Sequence, residues 1–247
     1  MPELKLASLE LSRSELPAWF DLAIGASILQ YGQRLAAREL LVNTLGNIVV
    51  RTHCPYWQRE VIYTKHIGIS VEESGLEHLA VLDMQSDELL HGRCRPSLGH
   101  QMHREIMRCR PDVHATVHLH PNDVIAFFSV MQWRQMRYVS NDTALVMGKP
   151  PCILDEGVNV ELDVSAIGRC AADTNCIVMP GHGITSFGRD LSEAYHRAVA
   201  FVAEISRLIT CQHLSAATGK PVLFASDEEV QNMYELSEQV IYGSIRK

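Results

Sequence analysis

The sequence lacks an apolar run long enough to span a bilayer, and it has fewer basic than acidic residues. Its 22 Lys and Arg against 29 Asp and Glu give a formal net charge of -7, and the basic residues form no stripe with aromatic side chains. These absences argue against a membrane protein and against a general nucleic-acid binder. Residues 1–16 carry Glu3, Glu10 and Glu15 and no continuous apolar segment, so we also expect no signal peptide.

Paired cysteine motifs are missing as well. The seven cysteines are odd in number and widely scattered, and no two of them form a C-x-x-C pair. This pattern is typical of a reduced, cytoplasmic protein, and it argues against a disulfide framework or a thiolate zinc site. Each cysteine is therefore interpreted as a small buried hydrophobe, with a catalytic cysteine as the alternative.

The rest of the composition is that of a globular protein, since 47% of the 247 residues are apolar and 21% are charged. No repeat or shift in composition marks a boundary, so residues 1–247 are assigned to a single domain. Hydrophobic spacing predicts helices over 16–41, 97–109, 122–130 and 190–212, and strands over 48–51, 60–64, 79–84, 113–120 and 177–179. Residues 133–175 show weak periodicity and receive no assignment. This mixture favours an α/β fold, with a sheet covered by helices on both faces.

Three histidines are the strongest functional signal in the sequence. His118 and His120 lie two residues apart on a predicted strand, so their side chains point to the same face. His182 stands between Gly181 and Gly183, which allow a turn to place its imidazole without steric conflict. Three imidazoles with an open position are typical of a catalytic metal site. The alternative is that these are three unrelated polar residues among the 12 histidines of the chain.

Several motifs occur in a fixed order along most of the chain. They are Pro96-Ser97, His103, Arg110-Pro111-Asp112-Val113, Val117-His118-Leu119-His120-Pro121, Gly181-His182-Gly183, Gly188 and Glu193-Ala194. With this set the chain resembles the class II aldolase and adducin-like family, which includes L-fuculose-phosphate aldolases. The resemblance implies a three-layer α/β/α fold with a central, mainly antiparallel sheet. It also implies a divalent metal held by His118, His120 and His182, and a homotetramer with sites near the subunit interfaces.

The sequence departs from the family pattern at one position that matters for chemistry. In the family, Pro-Ser is usually followed by Ser-Glu, whereas this chain has Leu98 and Gly99. Glycine has no side chain to transfer a proton, so the standard aldolase mechanism is in doubt. His100 follows directly and is the candidate proton donor. One residue turns a helix by roughly 100°, so an exposed or structural histidine is the alternative.

The resemblance further implies that Gly46, Asn47, Thr64 and Ser97 contact the anionic end of a substrate. Two changes weaken a phosphate site of the family type. Leu98 removes a second serine, and Thr64-Lys65-His66 replaces the loop that follows the second strand. Lys65 can supply a positive charge there, and a solvated loop is the alternative interpretation.

Three functional hypotheses follow. The first is a metal-dependent carbon-carbon lyase of the aldolase or decarboxylase type, which acts on a hydroxy or keto acid or a sugar-derived substrate through a metal-stabilised enediolate. We expect zinc as the metal, with iron, manganese or cobalt as alternatives. The second hypothesis is a three-histidine non-haem iron oxygenase. The third is a non-enzymatic scaffold of the adducin kind, for which three retained histidines serve no chemical need.

Overall fold

The computed structural model describes residues 16–86, 88–92, 95–97, 99–155, 160 and 163–240. Residues 1–15, Cys94 and Leu98 lie outside these ranges. Within the described ranges, no helix combines the length and the apolar character needed to cross a membrane.

The described residues form seven α-helices and eight strands. The helices are α1 (Leu22–Ala36), α2 (His100–Cys109), α3 (Asn122–Met131), α4 (Asn141–Met147), α5 (Ser165–Ala171), α6 (Leu191–Thr218) and α7 (Asp227–Val240). The strands are β1 (Asn47–Cys54), β2 (Arg59–Lys65), β3 (Leu79–Asp83), β4 (Leu89–His91), β5 (Ala115–Leu119), β6 (Cys152–Ile153), β7 (Cys176–Met179) and β8 (Gly183–Gly188).

All eight strands belong to one sheet, in the order β4-β3-β2-β1-β5-β8-β7-β6. Every neighbouring pair is antiparallel except β6 and β7, which are parallel. Strand β5 lies near the middle, between β1 and β8. Because side chains on both faces of β3 and β5 are buried, the sheet is covered on both sides.

Two hydrophobic cores fill the space above and below the sheet. Helices α1, α3, α4 and α6 contribute to one core, and α2 and α5 contribute to the other. Side chains that alternate along β5 belong to different layers. Val117 and Leu119 lie in the first core. Thr116 faces the other layer, where its hydroxyl lies 2.7 Å from Nδ1 of His103 on α2. The predicted three-layer α/β/α fold with a mainly antiparallel sheet is confirmed.

Two predicted helix starts are wrong by several residues. Helix α1 begins at Leu22, because the Asp21 carboxylate accepts the backbone N–H groups of Ala23 and Ile24 and so caps the helix there. Helix α2 begins at His100, because the Ser97 N–H donates to the Lys65 carbonyl and holds the preceding residues against the end of β2. The cap predicted for α6 is confirmed, since the Asp190 carboxylate accepts the Glu193 N–H.

The segment without an assignment contains α4, β6 and α5. Helices α4 and α5 have seven residues each and β6 has two, which is too short for a periodic pattern to show. The start of α4 is stabilised by a residue that is distant in sequence. The buried carboxylate of Glu204 on α6 accepts the N–H groups of Val139 and Ser140. This contact joins residues more than sixty positions apart, so the local sequence does not reveal it.

The expectation of a chain without disulfides requires one correction. Cys152 on β6 and Cys170 on α5 form a disulfide, with 6.0 Å between their Cα atoms, and they lie 18 positions apart in sequence. The pairing depends on how a two-residue strand packs beside a short helix, and the spacing of the cysteines does not indicate it. The other described cysteines are free.

Candidate metal centre

Antiparallel pairing of two strands brings the three histidines together. His118 lies on β5 opposite Thr185 of β8, and His120 follows the end of β5. His182 lies in the tight turn between β7 and β8, where its N–H donates to the carbonyl of Met179 at 2.9 Å. The end of β5 and the start of β8 are thus neighbours, so a histidine just before β8 meets the two from β5.

The glycines that flank His182 have different roles. Gly181 has a φ of +77°, and a Cβ added there would meet no atom within 4 Å. Gly183 has a φ of +156°, and a Cβ added there would lie 2.1 Å from the carbonyl oxygen of Leu119. Gly183 is therefore required for the close approach of β8 to β5, whereas Gly181 supplies a backbone conformation.

The imidazole rings converge on a common point. One ligand atom from each of His118, His120 and His182 lies within 4.8 Å of the others. The Nε2 atoms of His118 and His182 are 3.3 Å apart. Two nitrogens bound to one tetrahedral zinc at about 2.0–2.1 Å are separated by roughly 3.3 Å, so the spacing fits a shared metal ion.

The ring of His118 is oriented by hydrogen bonds on its far side. Its Nδ1 lies 2.9 Å from the carbonyl oxygen of Ile184 and 2.9 Å from the hydroxyl of Thr185. A carbonyl oxygen only accepts, so Nδ1 carries the proton and Nε2 presents its lone pair to the cluster. Metal-binding histidines are commonly fixed in this way.

Burial also keeps these imidazoles in the form that binds metal. Desolvation lowers the pKa of His118 well below 6.5, and the neighbouring imidazoles lower it further. Desolvation, followed by the proximity of His182, lowers the pKa of His120 to about 4. Both rings are therefore neutral at pH 7, as metal coordination requires.

A pocket of about 230 Å³ opens beside the three histidines. Of the four residues predicted to contact substrate, Gly46, Asn47 and Ser97 line this pocket. Thr64 is fully buried, and its hydroxyl is not part of the pocket wall. Alternation along β2 explains the difference, because Thr64 and Lys65 point to opposite faces and it is Lys65 that reaches the pocket.

Asn47 and Ser97 form one polar wall of the pocket. The Asn47 side-chain amide donates to the Ser97 hydroxyl at 2.8 Å. The Asn47 Oδ1 atom is buried and has no hydrogen-bond partner among the described residues. A buried amide oxygen without a partner is uncommon, and it is available to a donor on a bound ligand.

Gly99, where the family resemblance leads us to expect a glutamate, lies on the pocket wall. A Cβ added to Gly99 would lie 3.3 Å from the Asn47 amide nitrogen and 3.8 Å from Nε2 of His103. His100 is the first residue of α2, with its Nδ1 2.9 Å from the Ser97 carbonyl oxygen, and it is not among the described residues lining the pocket. Its role as a proton donor stays a prediction.

His103 was not predicted as a site residue, although it lies beside His118 of the three-histidine cluster. It is completely buried, its ring centroid is 6.1 Å from that of His118, and its Nε2 has no hydrogen-bond partner among the described residues. Burial and the nearby His100 lower its pKa from 6.5 to about 3. His103 follows Gly99 by four residues, so the two positions share one face of the helix. This spacing is the feature of the sequence that could have indicated His103 as a residue near the site.

The burial of His103 predicts a pH dependence of stability. Its imidazole titrates near 6.5 in the unfolded chain and near 3 in the folded chain, so the unfolded state binds the additional proton between these values. The free energy of unfolding of the metal-free protein should therefore fall as the pH is lowered from about 6.5, by up to about 1.4 kcal/mol per pH unit for this group. Urea unfolding at about pH 6, 5 and 4.5 measures this slope.

His103→Asn isolates the contribution of this ring, because asparagine can keep the contact with Thr116 but does not titrate. The free energy of unfolding of the variant should change less steeply with pH than that of the parent. The difference in slope corresponds to the uptake of up to one proton on unfolding. His213→Ala, on an exposed part of α6, serves as the control and should keep the parent slope. Identical slopes in the His103 variant and the parent would contradict the assignment.

Known proteins resemble this chain in sequence and in fold. A family model described as Class II Aldolase and Adducin N-terminal domain matches residues 26–206. L-fuculose phosphate aldolase of Methanococcus maripaludis is 24% identical over 159 residues, which cover 64% of this chain and 81% of that protein. Beta-adducin of Homo sapiens is 25% identical over 181 residues, covering 72% of this chain and 24% of adducin.

A solved structure shares the architecture. That structure, an L-fuculose 1-phosphate aldolase, superposes with a TM-score of 0.72 at 18% identity, covering 88% of this chain and 97% of that chain. At this identity the likeness concerns the fold alone. The family model, in contrast, matches well over half of the sequence. The chain therefore belongs to the class II aldolase and adducin N-terminal domain family.

Proposed function

We propose that the chain is a metal-dependent lyase of the aldolase or decarboxylase type, acting on a small hydroxy or keto acid or a sugar-derived compound. The convergence of His118, His120 and His182 on one point beside a pocket is the observation that carries this proposal. The named aldolase among the relatives supports the class of reaction. The single-domain assignment of residues 1–247 and the homotetramer remain predictions.

The three histidines fit a divalent cation by donor type and spacing. We propose that they hold zinc, with iron, manganese or cobalt as alternatives. Such a cation supplies Lewis acidity, which stabilises negative charge on the oxygens of an enediolate.

The residues of the pocket can orient a substrate. We propose that the unpaired Oδ1 of Asn47 accepts a substrate hydroxyl and that the Ser97 hydroxyl and the backbone at Gly46 contact the same end of the molecule. Gly99 contributes no side chain to the pocket, so it supplies no carboxylate there. His100, next to Gly99 in sequence, remains the predicted proton donor.

The missing carboxylate favours decarboxylation over retro-aldol cleavage. In a retro-aldol reaction a base must remove the proton of a substrate hydroxyl before the carbon-carbon bond breaks. In decarboxylation the bond breaks as carbon dioxide leaves, and only the remaining carbanion needs a proton.

A scaffold function of the adducin kind gives no reason for three buried or half-buried imidazoles to share one point, so it is the weaker alternative.

Proton exchange and carbon dioxide release test the proposal without knowledge of the natural substrate. The protein is freed of metal, reloaded with zinc or manganese, and incubated in D₂O with dihydroxyacetone or with a 2-hydroxy-3-keto acid. We expect exchange of the hydroxymethyl protons, or release of carbon dioxide, about 100-fold faster with metal than without it. NMR follows the exchange and a coupled assay follows the gas. Equal rates with and without metal in both assays would overturn the proposal.

A further inference from the structure

Lys65 is a buried cation in the wall of the pocket. It is the last residue of β2 and only 2% exposed, and it lines the same pocket as the three histidines. Its Nζ donates a hydrogen bond to the carbonyl oxygen of Thr44 at 2.9 Å. The alternative interpretation of residues 65 and 66 as a solvated loop is therefore wrong, since both side chains are buried.

The charge of Lys65 is not balanced within the described part of the chain. An ammonium group has three donors, and the described residues supply one acceptor and no carboxylate for it. Burial lowers its pKa to about 8, so the group still carries its charge at pH 7. A buried charge without a counter-ion is costly, which suggests that a ligand supplies the missing negative charge.

Among the described residues, Lys65 sets the charge preference of this pocket. Among the described residues that line it, Lys65 is the single ionisable side chain apart from His118, His120 and His182. The remaining polar side chains, such as Asn47, are neutral. Within the described lining, a ligand that uses the histidines through a metal therefore meets one further fixed charge, and that charge is positive.

The size of this charge distinguishes two kinds of anion. A carboxylate carries one negative charge, which one ammonium balances, whereas a phosphate ester carries about -1.5 to -2 at pH 7 and three acceptor oxygens. Among the described side chains that line the pocket, Lys65 is the one ammonium or guanidinium group, and the Asn47 amide already donates to the Ser97 hydroxyl. One ammonium without a second lysine or arginine among the described lining residues balances the charge of a carboxylate but not that of a phosphate ester.

We propose that Lys65 pairs with a carboxylate at the end of the substrate remote from the metal, so that the substrate is a hydroxy or keto acid and not a sugar phosphate. This inference rests on the proposed function, because it takes the pocket beside the histidines as the substrate site. Lys65 is then a specificity-determining residue, and its substitution should change which ligand binds.

Three hydroxymethyl ketones test the pairing, because they share the end that reaches a metal and differ in the opposite end. They are 5-hydroxy-4-oxopentanoate with a carboxylate, dihydroxyacetone phosphate with a phosphate, and 1-hydroxybutan-2-one without charge. Calorimetry on the zinc-loaded protein measures the dissociation constant of each. We expect the carboxylate to bind the parent protein more tightly than the phosphate, and the phosphate more tightly than the uncharged ketone.

Lys65→Met is the matched variant, because methionine keeps the apolar stem and removes the ammonium. We expect it to weaken binding of the carboxylate by ~10- to 100-fold and to change binding of the uncharged ketone by less than about twofold. The variant should unfold at the same or a higher temperature than the parent, since it no longer buries a charge. Lys220→Met, at an exposed lysine, is the control and should leave all three constants unchanged.

Two results would overturn the inference. One is a parent protein that binds the phosphate as tightly as the carboxylate or more tightly, and the other is a Lys65→Met variant with an unchanged affinity for the carboxylate. If the variant does not fold, the affinities of the parent protein for the carboxylate and the phosphate still test the inference. Failure of the proposed function is recognised separately, because a protein without metal-dependent exchange or carbon dioxide release can still prefer the carboxylate through Lys65.

Discussion

His120→Ala is expected to remove the bound metal and to lower the rate of proton exchange by about 100-fold, to that of the metal-free protein. The variant leaves two imidazoles, and two ligands hold a divalent cation far less tightly than three. The ring of His120 is only partly buried and lies at the pocket, so its removal opens no cavity in either hydrophobic core. Metal content by mass spectrometry, exchange by NMR and the urea midpoint are measured on the same preparation.

His213→Ala controls for the loss of a histidine as such. His213 is exposed on α6, far along the chain from the cluster, and alanine is a good helix former. This variant should keep the metal and the exchange rate of the parent. If His120→Ala retained one metal ion per chain and normal exchange, the assignment of His120 as a ligand would be wrong.

Gly183→Ala is expected to have the largest effect on stability, with a loss of about 3 kcal/mol or more in the free energy of unfolding. The new Cβ would lie 2.1 Å from the Leu119 carbonyl oxygen, and both groups belong to the backbone of paired strands. Neither can turn aside as a side chain can, so β8 must move away from β5 at this point. Because His182 directly precedes β8, the same movement separates it from His118, and metal binding should be lost as well.

Gly181→Ala is the matched control, since it tests the same turn without the clash. The φ of +77° disfavours alanine, but no atom lies within 4 Å of the added Cβ. We expect a cost of about 1–2 kcal/mol and retention of the metal. Equal stability of the two variants in urea would show that the contact between Gly183 and Leu119 does not constrain the turn.

The residues of the three-histidine cluster could be predicted from the sequence because each part of it depends on a local rule. His118 and His120 share a face through the period of a strand, and the glycines on either side of His182 indicate a turn. Their meeting depends on β8 pairing with β5, which the spacing alone does not show. The ordered motifs of the family supplied that information.

The rest of the pocket depends on tertiary contacts that have no local signal. Lys65 is a typical surface residue by type, and its burial arises because the Ser97 backbone bonds to the end of β2 and covers it. Thr64 was predicted at the pocket, yet alternation turns it to the other face. The disulfide between Cys152 and Cys170 joins two elements too short to be predicted.

Anomalous diffraction from crystals of the metal-loaded protein is the most direct test of the account. Data collected at the absorption edge of the bound metal locate it without reference to any assumed ligand. The account predicts one peak per chain, at about 2.0–2.1 Å from ring nitrogens of His118, His120 and His182. A peak at another place, or no peak at full metal loading, would contradict the central claim that these three histidines form the metal centre.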